Sequence, residues 1–433
     1  MMEQVMGNTY RDILMNLFWD AHTELRPSKL VSTYLQEQLP RLWGEDCGRW
    51  SVISVGKAAI EMARGAASSG ISWRTRCCVT KYGYAESIEG WEILEAAHPL
   101  PDHRSLTAAS RCLSIARACE SEKDRCLLLL SGGTSSLLVA PVEGLSFEEK
   151  TALMKVLLTL KIDIHSLNLI RKQLSQIKRG GWARALAPGH SLTLAISDVP
   201  GDIPSSIGSG ISVIEREAPL QALQLLREFG VLKAFPGVQS VLERKASSSP
   251  KEHDVEEGRR HPFEVLLSNA MFLQKLSTLA ERAGYEVSLF RDGLSRPLDE
   301  LLCTFRAVLG ERKRSHRSQL YVWGGEPLCE VTGTGKGGRM QHLALGMCPW
   351  LSEQGDIWML ALGTDGTDGP TDAAGAFVGP YTVEQSCQLG VDVMTFFADF
   401  DSYTFHQLLQ TQVKTGATNT HVGDVVMFLC LPS

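Results

Sequence analysis

The residues best suited to chemistry lie in loops that follow short apolar runs. Asp198 and Asp202 come directly after Leu192 to Ile196, a run that reads as a buried parallel strand. Pro200, Gly201 and Pro204 break the chain beyond it into a loop running to Gly210. Loops at the carboxyl ends of strands are where open α/β sheets place reactive groups. Two carboxylates there can accept a hydroxyl proton or hold a cation, although Asp also shapes turns through its own backbone. Leu127 to Leu137 reads as a strand, a glycine turn and a helix start. Bare N–H groups at such a terminus attract anions, and Ser131, Thr134 and Ser135 add hydroxyls around Gly132 and Gly133. A tight βα turn would also need those glycines. Gly56-Lys57 repeats the layout with an ammonium added.

Four further stretches carry polar groups in suggestive patterns. Asn168, Arg171, Ser175 and Lys178 recur at helical spacing beside an apolar stripe of Leu167, Ile170, Leu174 and Ile177. That polar stripe could bind an anion or simply face water. Gly324-Gly325-Glu326 follows a strand, and Gly333 to Arg339 then fits G-x-G-x-x-G. The acid expected to hold a ribose is poorly placed, because Asp356 precedes the next strand and Asp365 comes late. A phosphate cradle with Lys336 and Arg339 as donors fits better. Asp365, Asp368 and Asp372 supply three oxygen donors in a glycine loop, which suits Mg²⁺ but also suits Asp-Gly turns. Walker A, protein-kinase H-R-D and G-x-S-x-G motifs are missing, and the eleven histidines show no metal-ligand spacing. His98, in the rigid His98-Pro-Leu-Pro-Asp102 loop, reads as structural. Anion-binding glycine loops, three cations and two acidic clusters together describe phosphoryl transfer, which mainly needs positioning, charge neutralisation and a base.

The elements that must position these groups alternate. Strands are expected at Trp50–Val55, Cys77–Thr80, Ile93–Ala96 and Cys126–Leu130, with helices through Ala67, over Arg104–Cys119, Phe147–Leu160 and Ser166–Lys178. Such alternation predicts a mostly parallel doubly wound sheet. The Ser-rich charged stretch Arg244 to His261 reads as a linker. Beyond it, helices at Ala270–Ala283 and Leu298–Leu309 and strands at Glu286–Phe290, Gln319–Trp323, Leu328–Thr332, Ile357–Leu362 and Val425–Cys430 predict a second α/β unit.

Composition narrows the function classes. The 433-residue chain has room for two or three domains, with 44% hydrophobic and 21% charged residues. A net charge of -6 argues against nucleic acid as a partner. Eleven cysteines with no C-x-x-C read as reduced core thiols. No apolar run approaches the roughly 20 residues of a membrane span, so a cytoplasmic protein is expected. Mitochondrial import and homo-oligomerisation stay open.

In combination, these motifs resemble the class II glycerate kinases, the family with a DUF4147-type N-terminal region and a MOFRL C-terminal region, and they look most like its animal members. The resemblance is carried in one order by Gly56-Lys-Ala-Ala59, His98-Pro-Leu-Pro-Asp102, Leu130-Ser-Gly-Gly133, Asn168-Leu-Ile-Arg-Lys172, Ser197-Asp-Val-Pro-Gly-Asp202, Gly324-Gly-Glu326, Gly335-Lys-Gly-Gly-Arg339, Thr364 to Asp372 and Asn419. It implies ATP- and Mg²⁺-dependent phosphorylation of D-glycerate, with 2-phosphoglycerate favoured over 3-phosphoglycerate. It implies a Rossmann-like domain over residues 1–245 and a smaller α/β domain over 262–433, whose MOFRL-like region spans about 318–430, with the active site in the cleft between them. Lys57, Asp198 and Arg339 fall on the family's functional residues. Ser131, Gly132, Gly133, Lys336, Gly337, Gly338, Asp365 and Asn419 are then expected to bind nucleotide. Asn168, Arg171, Lys178 and Glu326 are expected to bind glycerate, and Asp202 and Asp368 the metal. Three departures stand out. Met340 and His342 replace an Asn and a Glu after the arginine, Thr134 replaces a third glycine, and Arg179 replaces a glycine after Lys178. The first of these opens the alternative of a weakened, ligand-sensing homologue. A hydroxypyruvate reductase is the other alternative.

Overall fold

The computed structural model describes residues 2–44, 48–119, 121, 123–160, 162–186, 189–247, 261–313 and 315–432. Residues 248–260 of the expected linker lie outside that set. The chain divides into two compact units, one of Pro27–Ser197 with Gly201–Leu266, the other of Met1–Arg26, Asp198–Pro200 and Leu267–Ser433. The N-terminal helix Met2–Glu24 thus belongs with the second unit, not with residues 27–245 as the sequence suggested. The reason is apolar: Phe18 packs on Phe272 of the helix Asn269–Arg282, their ring centroids 5.6 Å apart.

The first sheet has the order β3-β2-β1-β4-β5-β6, formed by Arg49–Val55 (β1), Trp73–Lys81 (β2), Glu92–Ala96 (β3), Asp124–Leu130 (β4), His190–Ser197 (β5) and Phe263–Ser268 (β6). Neighbours from β3 to β5 pair in parallel. Strand order therefore reverses between β1 and β4, which leave the Gly56 and Ser131 turns side by side, the usual place for a ligand in an open α/β sheet. Cys126 to Leu130 are all fully buried, which explains a continuous apolar run in place of alternation.

The second sheet is mixed, in the order β11-β10-β9-β12-β8-β7. Its strands are Glu286–Phe290 (β7), Gln319–Gly325 (β8), Ile357–Gly363 (β9), Gly375–Val378 (β10), Gln412–Val413 (β11) and Asp424–Cys430 (β12). β7 and β8 are parallel, whereas β12 runs antiparallel to both β8 and β9. The helix Arg339–Gln354 is buried along Met340–Cys348 within the core of this unit. Two expectations need correction. Leu328–Thr332 is not a strand: Leu328 makes one isolated bridge to Pro297, and Leu328 and Val331 are exposed. The helix expected over Ser166–Lys178 spans Ile164–Gln173, so Ser175 and Lys178 come after it in a turn where Ser175 bridges to Pro141.

Candidate active site

In the first unit the two βα turns are built against each other. Gly56 takes φ +126, and a Cβ there would run into the Ser131 hydroxyl. Ser131 Oγ accepts from Ala58 N at 3.1 Å and donates to Val55 O, while Lys57 N donates to Gly132 O at 2.9 Å. Lys57 is therefore anchored through its backbone to the Ser131–Gly133 turn. Gly133 takes φ +89, and a Cβ on it would lie 2.9 Å from the His98 ring. His98 is thus a wall of this turn. The N–H groups of Gly132, Gly133, Thr134 and Ser135 have no acceptor among the described residues. Thr134, at the position of the missing third glycine, folds its hydroxyl back onto Ser131 O at 2.7 Å.

Polar groups from three segments gather next to this turn. Ser135 and Ser209 hydroxyls meet at 2.7 Å, and Lys178 Nζ donates to Ser135 O at 2.9 Å and to Ser209 Oγ. Arg171 donates to Asn168 Oδ1 at 3.5 Å. Burial pushes the Lys178 pKa well below the usual lysine value, and the positive charges of Arg171, Lys150 and Lys172 push the same way. Asn168, Arg171 and Lys178 thus share a neighbourhood, although the helix carries only the first two. Arg179 occupies a left-handed position at φ +54 that glycine would adopt without strain, and its guanidinium binds Glu215 O and Glu217. Asp202, also left-handed at φ +52, is half-buried.

In the second unit Asp198 meets a histidine that no sequence pattern marks. His421 Nε2 lies 3.0 Å from Asp198 Oδ2, and its Nδ1 lies 3.7 Å from Asp365 Oδ2. Asp365 is buried, and its other oxygen accepts from Thr367 N and Oγ1, each at 3.0 Å. Asp365 is thereby turned toward His421 by its own loop. The polar loop before the last strand is visible in the sequence, but nothing there separates its histidine from a solvated one. Asn419, in the same loop, is left-handed at φ +56 beside Thr418, which donates to Thr364 O.

Arg339 opens the helix Arg339–Gln354 and is held by two carboxylates, Asp424 through Nε at 2.5 Å and Glu326 through Nη1. Glu326, expected to touch glycerate, is thus a partner of the arginine. Burial opposes the Arg339 charge, yet Asp424 and Glu326 outweigh it and raise its pKa. Burial raises Asp424 to about 7 against the pull of Arg339.

The glycine loop before this helix is filled by the protein itself. Thr334 N donates to Asp399 Oδ1 at 2.9 Å, Gly335 N to Asp399 O at 2.9 Å, and Lys336 N to Asp401 Oδ1 at 3.1 Å. A Cβ on Gly335 would strike Asp401, and one on Gly338 would strike Asp368. The Lys336 ammonium sits 4.2 Å from the centre of the Tyr403 ring. Asp368 is buried at the helix N-terminus, where it accepts from Met340 N, Gln341 N and Gln341 Nε2. The Lys336 backbone N and the Asp368 carboxylate, the latter expected to hold the metal, are both already bonded inside the fold, whereas the Lys336 ammonium, the expected phosphate donor, has only the Tyr403 ring beside it among the described residues. The Lys336 ammonium, Gly337 and Gly338 are the loop's remaining candidates. Met340 is fully buried, and the His342 ring is stacked between Phe397 and Phe400 with centroids 4.4 and 4.2 Å away. Burial lowers the His342 pKa to about 4, so it is neutral. The two departures after Arg339 therefore serve core packing.

Comparison with known proteins agrees over the chain. Residues 13–243 match the family model described as "Domain of unknown function (DUF4147)", and residues 319–424 match the MOFRL family. A D-glycerate 2-kinase of Thermotoga maritima is 33% identical over 405 residues, covering 91% of this chain and 93% of the relative. The chain belongs to the class II glycerate kinase family. It is an enzyme of that family, a glycerate kinase. A Bos taurus glycerate kinase is 33% identical over 77% of this chain and 72% of its own. A putative hydroxypyruvate reductase of Agrobacterium vitis is 31% identical over 96% of this chain and 93% of its own. The crystal structure of a Thermotoga maritima glycerate kinase superposes with a TM-score of 0.84 at 29% identity, covering 98% of this chain and 100% of that one.

Among the described residues no three His, Cys, Asp or Glu side chains are placed to hold a metal ion, and no helix is long and apolar enough to cross a membrane. Mg²⁺ does not require a protein cage, since one or two carboxylates together with substrate phosphates ordinarily bind it. The half-buried Asp202 carboxylate fits that mode, and Asp368, spent on backbone donors, does not.

Proposed function

We propose that this kinase transfers the γ-phosphoryl group of ATP to the 2-hydroxyl of D-glycerate. The observation that carries the reading is the 33% identity with the D-glycerate 2-kinase of Thermotoga maritima over nine-tenths of both chains. In the reaction the glycerate hydroxyl oxygen forms a bond to the γ-phosphorus, the bond to the β-phosphate bridging oxygen breaks, and ADP leaves. Asp198 accepts the hydroxyl proton, and His421 at 3.0 Å holds that carboxylate in place. Ser131, Gly132 and Gly133 offer N–H and hydroxyl donors to phosphate oxygens, and Lys57 offsets charge on the transferred group. Arg339, kept charged by Asp424 and Glu326, is assigned the same task. Gly337, Gly338, Asp365 and Asn419 complete the nucleotide contacts, and Asn168, Arg171 and Lys178 bind glycerate. Mg²⁺, through Asp202 and the phosphates, neutralises charge when bound.

The reductase reading has less behind it, because the G-x-G-x-x-G loop is occupied by Asp399 and Asp401. The test is phosphorus NMR of the protein mixed with D-glycerate, ATP and Mg²⁺. A 2-phosphoglycerate signal is expected, and it should weaken by about 10² or more in rate for Asp198→Asn, consistent with the contribution of a general base. A 3-phosphoglycerate signal would overturn the regiochemistry. Loss of NADH absorbance on adding hydroxypyruvate, without a phosphoester, would overturn the kinase.

A further inference from the structure

One buried charge in the first unit has no counterpart in the machinery above. Lys150 lies in the first turns of the helix Phe147–Thr159 and is only 4% exposed. Its ammonium has no hydrogen-bond partner among the described residues. Lysine is almost never fully buried without a partner, because the charged head loses water and gains nothing in return. The charges that bear on Lys150 make this worse, since Arg171 and Lys245 are both positive. Arg171, Lys150 and Lys172 in turn bear on Lys178, which is 2% exposed.

The acidic residues nearby are committed elsewhere. Glu215 pairs with Lys172 at 2.7 Å, and Glu217 pairs with Arg179 and Lys245. Lys178 donates only to neutral oxygens, and Arg171 only to the Asn168 amide. Three cationic heads from two helices and the turn after them therefore share one region without a bonded carboxylate among the described residues. If the Lys150 ammonium served the fold alone, as a cap or a strut, it would reach an acceptor.

We propose that Lys150, Arg171 and Lys178 form a buried oxyanion site that takes the carboxylate or phosphate oxygens of a small substrate, with Lys150 as its third cationic arm. This rests on the kinase reading, which supplies two sources for such an anion, the glycerate carboxylate and the nucleotide phosphates. Lys178 ties the site to the Ser131–Ser135 turn through Ser135 O. An anion there satisfies three donors at once and removes their mutual repulsion, the arrangement in which charge-assisted hydrogen bonds are strongest.

The test compares the parent with Lys150→Met and Lys150→Arg by thermal unfolding and by titration calorimetry. The probes are inorganic phosphate, D-glycerate and ATP, each alone. The parent is expected to gain thermal stability from at least one probe. Lys150→Met should keep the unliganded Tm or raise it, because it removes an unpaired charge, and should bind that probe at least tenfold more weakly. Lys150→Arg should bind within a few-fold of the parent. A tenfold loss confined to D-glycerate assigns the site to the carboxylate, and one confined to ATP assigns it to phosphate. Lys150→Met binding every probe within twofold of the parent would overturn the proposal. So would a marked fall of unliganded Tm in both variants, which would make the amine structural. A parent that phosphorylates glycerate while Lys150→Met binds normally sinks this site alone. Lys150-dependent binding without turnover keeps the site and sinks the kinase reading. A parent that neither binds nor turns over sinks both.

Discussion

The molecule contains two glycine loops that look alike in sequence and are used differently. Both precede a helix and carry a cation close by, and in sequence both read as following a strand, although only the first does so directly. In the first, Ser131–Ser135, the glycines let two backbone turns approach, and four successive N–H groups are left without an acceptor among the described residues. In the second, Gly333–Arg339, the glycines let the loop pack on Asp399, Asp401 and Asp368, whose oxygens take the N–H groups of Thr334, Gly335, Lys336, Met340 and Gln341. The protein's own oxygens, most of them carboxylate, stand there where phosphate was expected. Glycine enrichment thus reports close approach of backbone, and only the partner's identity tells a ligand from the chain itself.

The sharpest way to break this contrast is to fill the first loop. Gly133→Val puts a branched Cβ at φ +89 against His98, and displacement of the turn should lower kcat/KM by about 10²-fold, as misplacement of about 1 Å does. Steady-state kinetics with D-glycerate and ATP read this, and near-parental activity would show that the turn does not position a reacting group.

A smaller effect should come from the packing behind the second loop. His342 and His406 both have pKa values lowered to about 4 from 6.5, in each case chiefly by burial. The folded state therefore disfavours their charged forms. Their contribution to stability is complete above pH 6.5 and is lost as pH falls toward 4, by up to roughly 3 kcal/mol for each ring. His342→Phe should keep neutral-pH activity and flatten the acid limb of a Tm-versus-pH curve. An unchanged acid limb would show that the ring does not titrate on unfolding in this way. The smallest effect is expected for Asp401→Ala, which frees Lys336 N: about 1 kcal/mol of stability lost, with the KM for ATP within twofold of the parent. A tenfold rise in that KM would restore the second loop as a phosphate cradle.

The fold was largely legible from periodicity where a strand is buried on both faces. Cys126–Leu130 and Ile357–Leu362 are unbroken apolar runs because helices or chain cover both sides. β10 and β11, of four and two residues, are too short for any pattern to emerge. Leu328–Thr332 misled because a short run holding Leu, Cys, Val and Thr imitates a strand, yet among the described residues nothing pairs with it beyond one bridge. For the candidate site, the Asp198, Lys57 and Ser131–Gly133 segments were visible as polar groups at strand ends. His421 was not, because its meaning depends on Asp198 and Asp365, more than fifty residues away in sequence. Lys150 was hidden for a related reason: a lysine near a helix start reads as solvated, and only three-dimensional burial reveals that its charge is unpaired.

The contrast between the loops is tested most directly by hydrogen exchange of backbone amides with and without ATP. Nucleotide is expected to slow exchange in peptides covering Ser131–Ser135 and to leave Thr334–Lys336 unchanged, since those donors are already bonded. Protection appearing at Thr334–Lys336 and not at Ser131–Ser135 would contradict the assignment of the first loop to the ligand and of the Thr334–Lys336 donors to the fold.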